Sequence, residues 1–125
     1  MQIADGIEKW SVSKPDSYQF EMQLECYCEP ESLKPYRVIV SGDRFGVVFV
    51  ESGAPVSRKI AQLPFVGPID KIYSYLVKLL EEKPQHVRSI TIDRKLGYPT
   101  SIVVGPGGFD GDVKVTISNF KYSGA

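Results

Sequence analysis

An alternation of apolar and polar residues from Tyr18 to Cys28, broken only by the aromatic Tyr27, constrains the fold of this chain more than any other feature. Because successive side chains on a β-strand point to opposite faces, the stretch predicts a half-buried strand with one dry and one solvated face. A shift of one residue would move four polar side chains into the core, so we expect a firmly set register. The residues predicted on the dry face are Tyr18, Phe20, Met22, Leu24, Cys26 and Cys28.

Two other segments have the apolar spacing of amphipathic helices. The first is predicted from Ile3 to about Ser13, and Pro15 ends it because a proline ring cannot continue the helical hydrogen bonds. The second begins at Ile69, carries an apolar stripe over three turns, and is stopped by Pro84 after Lys83.

Five further strands are predicted from β-branched and aromatic runs bounded by turn residues. They are Tyr36–Ser41, Phe45–Glu51, Val87–Asp93, Tyr98–Val104 and Asp112–Tyr122. Phe45–Glu51 is apolar on both faces, which favours a central position in the sheet. Ser52–Pro68 is predicted to be irregular. Because the connections within each half are short, we expect antiparallel pairing. The prediction is an α+β fold of order α-βββ-α-βββ, in which a single antiparallel sheet of about six strands packs two helices on one face.

Length and charge narrow the classes of protein to which the chain can belong. At 125 residues it is predicted to form a single domain over residues 1–125. The formal net charge is zero and no run of like charges occurs, which argues against a nucleic-acid partner and a polybasic membrane anchor. No apolar run approaches the ~20 residues of a membrane-spanning segment. The first residues do not resemble a signal peptide, so the sequence by itself predicts a cytoplasmic protein unless an export signal has been removed.

The cysteines of Cys26-Tyr27-Cys28 are the most distinctive local feature, and several interpretations remain open. Two residues apart on a strand, their Cα atoms would lie about 6.6 Å apart, at the long end of the range for a disulfide. The pair could be buried thiols, a small disulfide staple or a redox-active pair. A metal site is disfavoured because such sites usually need four Cys or His ligands, and His86 is the only histidine.

No other motif indicates catalysis, so we expect no enzymatic activity and no cofactor. No serine, cysteine or lysine has the context of an activated nucleophile, and there is no phosphate-binding loop. The glycine-rich stretch 105–108 precedes a strand, whereas a phosphate site would need a helix N-terminus there. Asp110 and Asp112 are interpreted as turn residues, because they fall far short of a calcium ligand set. His86 is interpreted as an exposed loop residue.

The face of the sheet opposite the helices is the stronger functional lead. By alternation it should carry an apolar centre with a polar rim, which is typical of a partner-binding or dimerisation surface. Packing of some of these valines under the segment 52–67 is an equally weighted alternative. The residues predicted for the apolar centre are Ile39, Val48, Val50 and Val103.

Several residues together resemble a family of domains of unknown function found in small bacterial proteins, mostly exported or lipid-anchored. The resemblance covers most of the chain and rests on Trp10, Tyr18-x-Phe20, Cys26-Tyr27-Cys28-x-Pro30, Gly97-Tyr98-Pro99 and the last strand ending near Phe120. It implies a secreted, periplasmic or lipid-anchored location and no assigned activity. The architecture also looks like that of helix-on-sheet inhibitor domains, which bind other proteins through an open sheet face.

Two functional hypotheses follow from these patterns. The first is a non-enzymatic envelope or secreted module that binds an unknown protein partner, or a second copy of itself, through the open sheet face. The alternative is a thiol/disulfide redox-linked protein that uses Cys26 and Cys28.

Overall fold

Six strands and three helices form the chain in the computed structural model, which describes residues 2–26, 28, 30–107 and 111–122. The helices are α1 (Gln2–Ser13), the four-residue α2 (Arg58–Ala61) and α3 (Ile69–Glu82). The strands are β1 (Ser17–Glu25), β2 (Tyr36–Ser41), β3 (Arg44–Phe49), β4 (Val87–Ile92), β5 (Pro99–Val104) and β6 (Val113–Tyr122). Single 3₁₀ turns occur at Pro30–Leu33 and Pro84–His86. The predictions made for Tyr27 and for residues 108–110 lie outside the described residues.

The strands form one antiparallel sheet in the order β3-β2-β1-β6-β5-β4. Each half of the chain is a three-stranded meander, and the two meanders join where β1 pairs with β6. The predicted α+β class, the six strands and the element order are confirmed. The helix α2 was not predicted, because a single turn is too short to show helical periodicity. It begins where the Ser57 hydroxyl accepts a hydrogen bond from the Ile60 amide (3.3 Å).

The alternation in β1 sets the register of the sheet as predicted. Its even-numbered residues from Tyr18 to Leu24 are buried, and its odd-numbered residues are half-buried or exposed. The strand ends at Glu25, before both cysteines. Cys26 still packs against the core, as predicted, but the prediction that Cys28 lies on the dry face is wrong. Cys26 lies at a bend and is half-buried, and Cys28 is exposed. Alternation predicts which face a residue takes only while the chain stays extended.

The two long helices cover one face of the sheet and share its core. Helix α1 buries Ile3 and Trp10, and α3 buries an apolar stripe that begins at Ile69. The N-terminal end of α3 is tied to α1 by Asp70, which accepts hydrogen bonds from the Trp10 indole and the Lys14 ammonium group (both 2.6 Å). It is tied to the sheet where the Ile69 amide donates to the Tyr18 hydroxyl (3.1 Å). The helix positions therefore depend on polar contacts as well as on apolar burial.

The central position predicted for Phe45–Glu51 is wrong, because β3 is an edge strand. Its outer edge pairs briefly with the returning chain: the Phe49 amide donates to the Ala54 carbonyl (2.9 Å), and the Val56 amide donates to the Val47 carbonyl (3.2 Å). Pro55 lies between these two bonds, opposite Val48. A proline on a covered edge limits pairing with other chains.

A β-bulge in β6 changes the face on which the end of that strand lies. Two residues of β6, Asn119 and Phe120, stand opposite Phe20 alone, and Asn119 adopts a positive φ of 51°. Without the extra residue, Phe120 would point to the open face. Instead it stacks on the Tyr98 ring at 4.2 Å and contacts the rings of Trp10 and Tyr18 from beneath the helices.

Candidate functional site

No helix of the described chain covers the face of the sheet opposite α1 and α3, which we call the open face. The centre of this face is polar. The centre is formed by β1 and β6, whose outward residues alternate with the core residues. Glu21 faces Arg37 on β2 (3.7 Å), and Glu25 faces Lys114 on β6 (3.8 Å). These pairs are partly or largely exposed, so each contributes little to stability. The outward residues of the two central strands are Gln19, Glu21, Gln23, Glu25, Lys114, Thr116, Ser118 and Lys121.

The four residues predicted for the interaction surface do not form one cluster. Ile39 on β2 and Val48 on β3 are diagonal neighbours on the open face, because Ile39 stands opposite Gly46 and Val48 opposite Arg37. Val50 follows the end of β3 and lies in a turn. Val103 lies on β5, separated from Ile39 by both central strands. The strand order, which the sequence did not predict, places the apolar residues on the flanks of this face.

A groove of about 300 Å³ lies where β1 begins and where β2 and β6 end. We call it the Ile39 groove. Five large hydrophobic side chains of the described chain are more than a third exposed, and two of them belong to residues that line this groove. Ile39 (44%) stands on the open face beside Gln19, whereas Tyr122 (41%) pairs with the buried Tyr18 and lies on the helix face. No atom lies within 4 Å of where a side chain at Gly46 would begin, so the space beside Ile39 is open. The residues lining the groove are Ser17, Tyr18, Gln19, Ile39, Val40, Ser41, Lys121 and Tyr122.

Positive charge borders the Ile39 groove on one side. Lys121 is exposed and takes part in no ion pair within the parts of the chain that the structure describes. A smaller cavity of about 160 Å³ adjoins the groove through Gln19 and Lys121 and includes Arg37 and the bulge residue Asn119. The bulge thus sets the position of Lys121 beside the groove. The signal that sequence reasoning missed was an Asn inside an otherwise regular strand, a residue type that tolerates a positive φ.

The structure joins Cys26 and Cys28 in a disulfide at the end of β1, with their Cα atoms 5.2 Å apart. This separation is shorter than the strand value because the chain bends at Cys26. Cys26 packs against the core, whereas Cys28 is exposed. With only one residue between the cysteines, the chain-entropy model gives the bridge about 1.6 kcal/mol of stabilisation, roughly half of its value for a 15-residue loop.

The other residues considered for chemistry have structural surroundings. Asp112 accepts a hydrogen bond from the Gly107 amide (2.7 Å), which fits its interpretation as a turn residue. His86 is half-buried in a 3₁₀ turn, so the prediction of an exposed residue is wrong. Within the described residues, no group of three or more His, Cys, Asp or Glu side chains could hold a metal ion. No helix in the described parts of the chain is long and apolar enough to cross a membrane.

Comparison with known families matches residues 2–122 to the model of a family of unknown function (DUF6174). The match covers nearly the whole chain, and the expectation of a family without an assigned function is confirmed. No curated protein and no solved structure matches the chain.

Proposed function

The chain belongs to the DUF6174 family, a family of unknown function, and from that premise we propose that it is a non-enzymatic module that binds a partner protein through the Ile39 groove. The observation that carries the proposal is the exposed Ile39 side chain in an open groove, where it stands in one cross-strand row with Gln19 and Lys121. Protein interfaces typically have aliphatic or aromatic anchors at the centre and a polar rim. Gln19 and Lys121 supply such a rim.

The dimensions of the groove favour a side chain of another protein over a cofactor. Its volume of about 300 Å³ is at the lower limit for small-molecule pockets. It is also open along the strand ends. One apolar side chain projecting from a partner segment would contact Ile39, next to Gln19 and Lys121, without displacing any residue of the sheet.

The charges beside the groove favour an acidic partner segment. Lys121 lacks an ion-pair partner within the described residues, and Arg37 lies beyond it with only Glu21 as a counter-charge. A carboxylate of the partner next to its apolar anchor would complement Lys121. The proposed partner is therefore a protein that presents an apolar residue close to an Asp or Glu.

Selection from a displayed library of random peptides on the immobilised full chain tests this proposal. We expect enriched peptides to carry an apolar residue within a few positions of Asp or Glu. Replacing Ile39 by Glu should weaken their binding at least tenfold, because it removes the apolar contact and repels the acidic group. The fold should be retained, since an exposed position opposite a glycine changes unfolding free energy by only about 0.5 kcal/mol.

Val103→Glu is the matched control, because it adds the same charge to the same face on the far side of both central strands. Equal binding of the peptides by the Ile39→Glu and Val103→Glu variants would contradict the proposal, as would a selection without enrichment. A wild-type chain that dimerises through this groove, with the dimer lost in Ile39→Glu, would replace the foreign partner by a second copy and overturn the proposal as stated.

We also propose that the protein acts in the bacterial envelope or outside the cell, as the resemblance implies. The family resemblance is the support for this location; the bridge between Cys26 and Cys28 would fit it as a permanent disulfide, because disulfides persist mainly in oxidising compartments. Expression from the complete natural gene, followed by fractionation of the bacterial cells, tests the location. Recovery in the periplasm, the membrane fraction or the medium is expected, and recovery in the cytosol alone would contradict it.

A further inference from the structure

The Cys26–Cys28 disulfide links no two elements of the fold. It bridges residues two positions apart in the connection that follows β1. A bridge that stabilises a domain usually joins distant parts of the chain, because its effect on the unfolded state grows with the length of the closed loop. The position of this pair is therefore poorly suited to a staple.

Other contacts hold the connection between β1 and β2. The buried Tyr36 donates its hydroxyl to the Ser32 carbonyl, and the Gln23 amide group donates to the Leu33 carbonyl (3.3 Å). At the far end of the connection, the Val50 amide donates to the Pro35 carbonyl (3.1 Å). These bonds fix the 3₁₀ turn and the start of β2 independently of the cysteines, so the connection can keep its course when the disulfide is reduced.

From this placement we infer that the pair is a thiol–disulfide exchange site, in which the exposed Cys28 is the sulfur attacked and the half-buried Cys26 is the leaving group. Exchange needs in-line access to one sulfur of the bridge. Cys28 offers that access because its side chain is exposed. Cys26 packs against the core, which shields it from direct attack.

The co-reactant is a dithiol, such as a protein with two neighbouring cysteines. Its first thiolate forms a bond to Cys28 Sγ while the Cys26–Cys28 bond breaks, and Cys26 leaves as a thiolate that takes up a proton. The second thiolate of the co-reactant then attacks the co-reactant's own sulfur in the mixed disulfide, and Cys28 leaves and is protonated. Two electrons pass to the cysteine pair, and the co-reactant becomes a disulfide.

A synthetic peptide with two cysteines separated by two residues serves as the dithiol probe. Oxidised wild-type protein should convert one equivalent of reduced peptide to its disulfide, with the gain of two alkylatable thiols measured by intact mass. The far-UV spectrum and the Trp10 fluorescence of the reduced protein should match those of the oxidised protein. In glutathione buffers the pair should be partly reduced, whereas a structural bridge stays fully oxidised.

Single-cysteine variants test the assigned roles. Cys26→Ser leaves Cys28, which should react with Ellman's reagent at least tenfold faster than the Cys26 left in Cys28→Ser. The double variant Cys26→Ser/Cys28→Ser should stay folded, keep the peptide binding of the Ile39 groove and oxidise no dithiol peptide. A bridge that stays oxidised in every glutathione buffer, a double variant that unfolds, or equal rates for the two single variants would overturn the inference.

Discussion

Replacing Gly97 by alanine should destabilise the fold more than its turn conformation alone explains. Gly97 has a φ of 90°, where a side chain costs about 1–2 kcal/mol. A Cβ atom there would also lie 2.7 Å from the Trp10 backbone nitrogen and 2.8 Å from the Gly6 carbonyl oxygen. These atoms belong to the backbone of α1, so a side-chain rotation cannot relieve the overlap, and the helix must move.

The magnitude follows from these two costs. Overpacking against a fixed neighbour costs typically 1–3 kcal/mol, which adds to the backbone strain to give about 2–5 kcal/mol. The Tyr73 hydroxyl donates to the Gly97 carbonyl, so a displaced turn would also weaken a buried hydrogen bond. Urea unfolding followed by the fluorescence of Trp10, the only tryptophan, measures the loss.

Gly53→Ala is the matched control for Gly97→Ala. Gly53 also has a positive φ (72°), but no atom lies within 4 Å of where its Cβ would be. The Gly53→Ala variant should therefore lose only about 1–2 kcal/mol of unfolding free energy, from the backbone strain alone. If Gly97→Ala proved no more destabilising than Gly53→Ala, the reasoning that Gly97 is needed for the close approach of α1 would be refuted.

Three further predictions concern the core and the bulge. Phe120→Ala should cost about 3–4 kcal/mol in urea unfolding, because the ring packs among five aromatic side chains. A loss below 1 kcal/mol would contradict its inward position. Asn119→Val should lower the free energy of unfolding by about 1–2 kcal/mol, because a β-branched residue is strained at this positive φ. Asn119→Gly should not lower it, because glycine adopts a positive φ without strain. Equal stability of the two variants would argue against the bulge. Burial raises the pKa of Tyr18 to about 12 despite the hydrogen bond from Ile69, so its neutral form contributes stability that is present below pH 10 and lost as the pH rises towards 12. Tyr18→Phe should flatten this part of the pH profile of unfolding, and an unchanged slope would contradict the assignment.

The sequence predicted the elements of the fold well because their patterns are local. Strand β1 shows its two faces through four alternating pairs, and α3 shows a continuous apolar stripe before Pro84. The antiparallel meanders followed from short connections. The order in which the two meanders join is a long-range property of β1 and β6, and no local pattern encodes it.

The candidate site was less predictable because it depends on that long-range order. Ile39 and Val103 have the same alternation signal, yet the central strands separate them. The groove also needs the bulge at Asn119, which moves Lys121 relative to the preceding strand register. Cys28 was placed incorrectly because the even-numbered positions stay apolar in the sequence through Cys28, although the strand itself ends at Glu25.

Packing explains one of the two short motifs that suggested a family, Gly97-Tyr98-Pro99, better than it explains the other, Cys26-x-Cys28. In Gly97-Tyr98-Pro99, the glycine allows α1 to approach, the tyrosine stacks on Phe120, and the proline is buried at the start of β5. Folding alone therefore requires that motif. Cys26-x-Cys28 contributes about 1.6 kcal/mol through loop entropy and holds no other element. Stability therefore accounts for less of this motif than of Gly97-Tyr98-Pro99, and the reaction with the dithiol peptide is the experiment that decides between a small staple and the proposed exchange site.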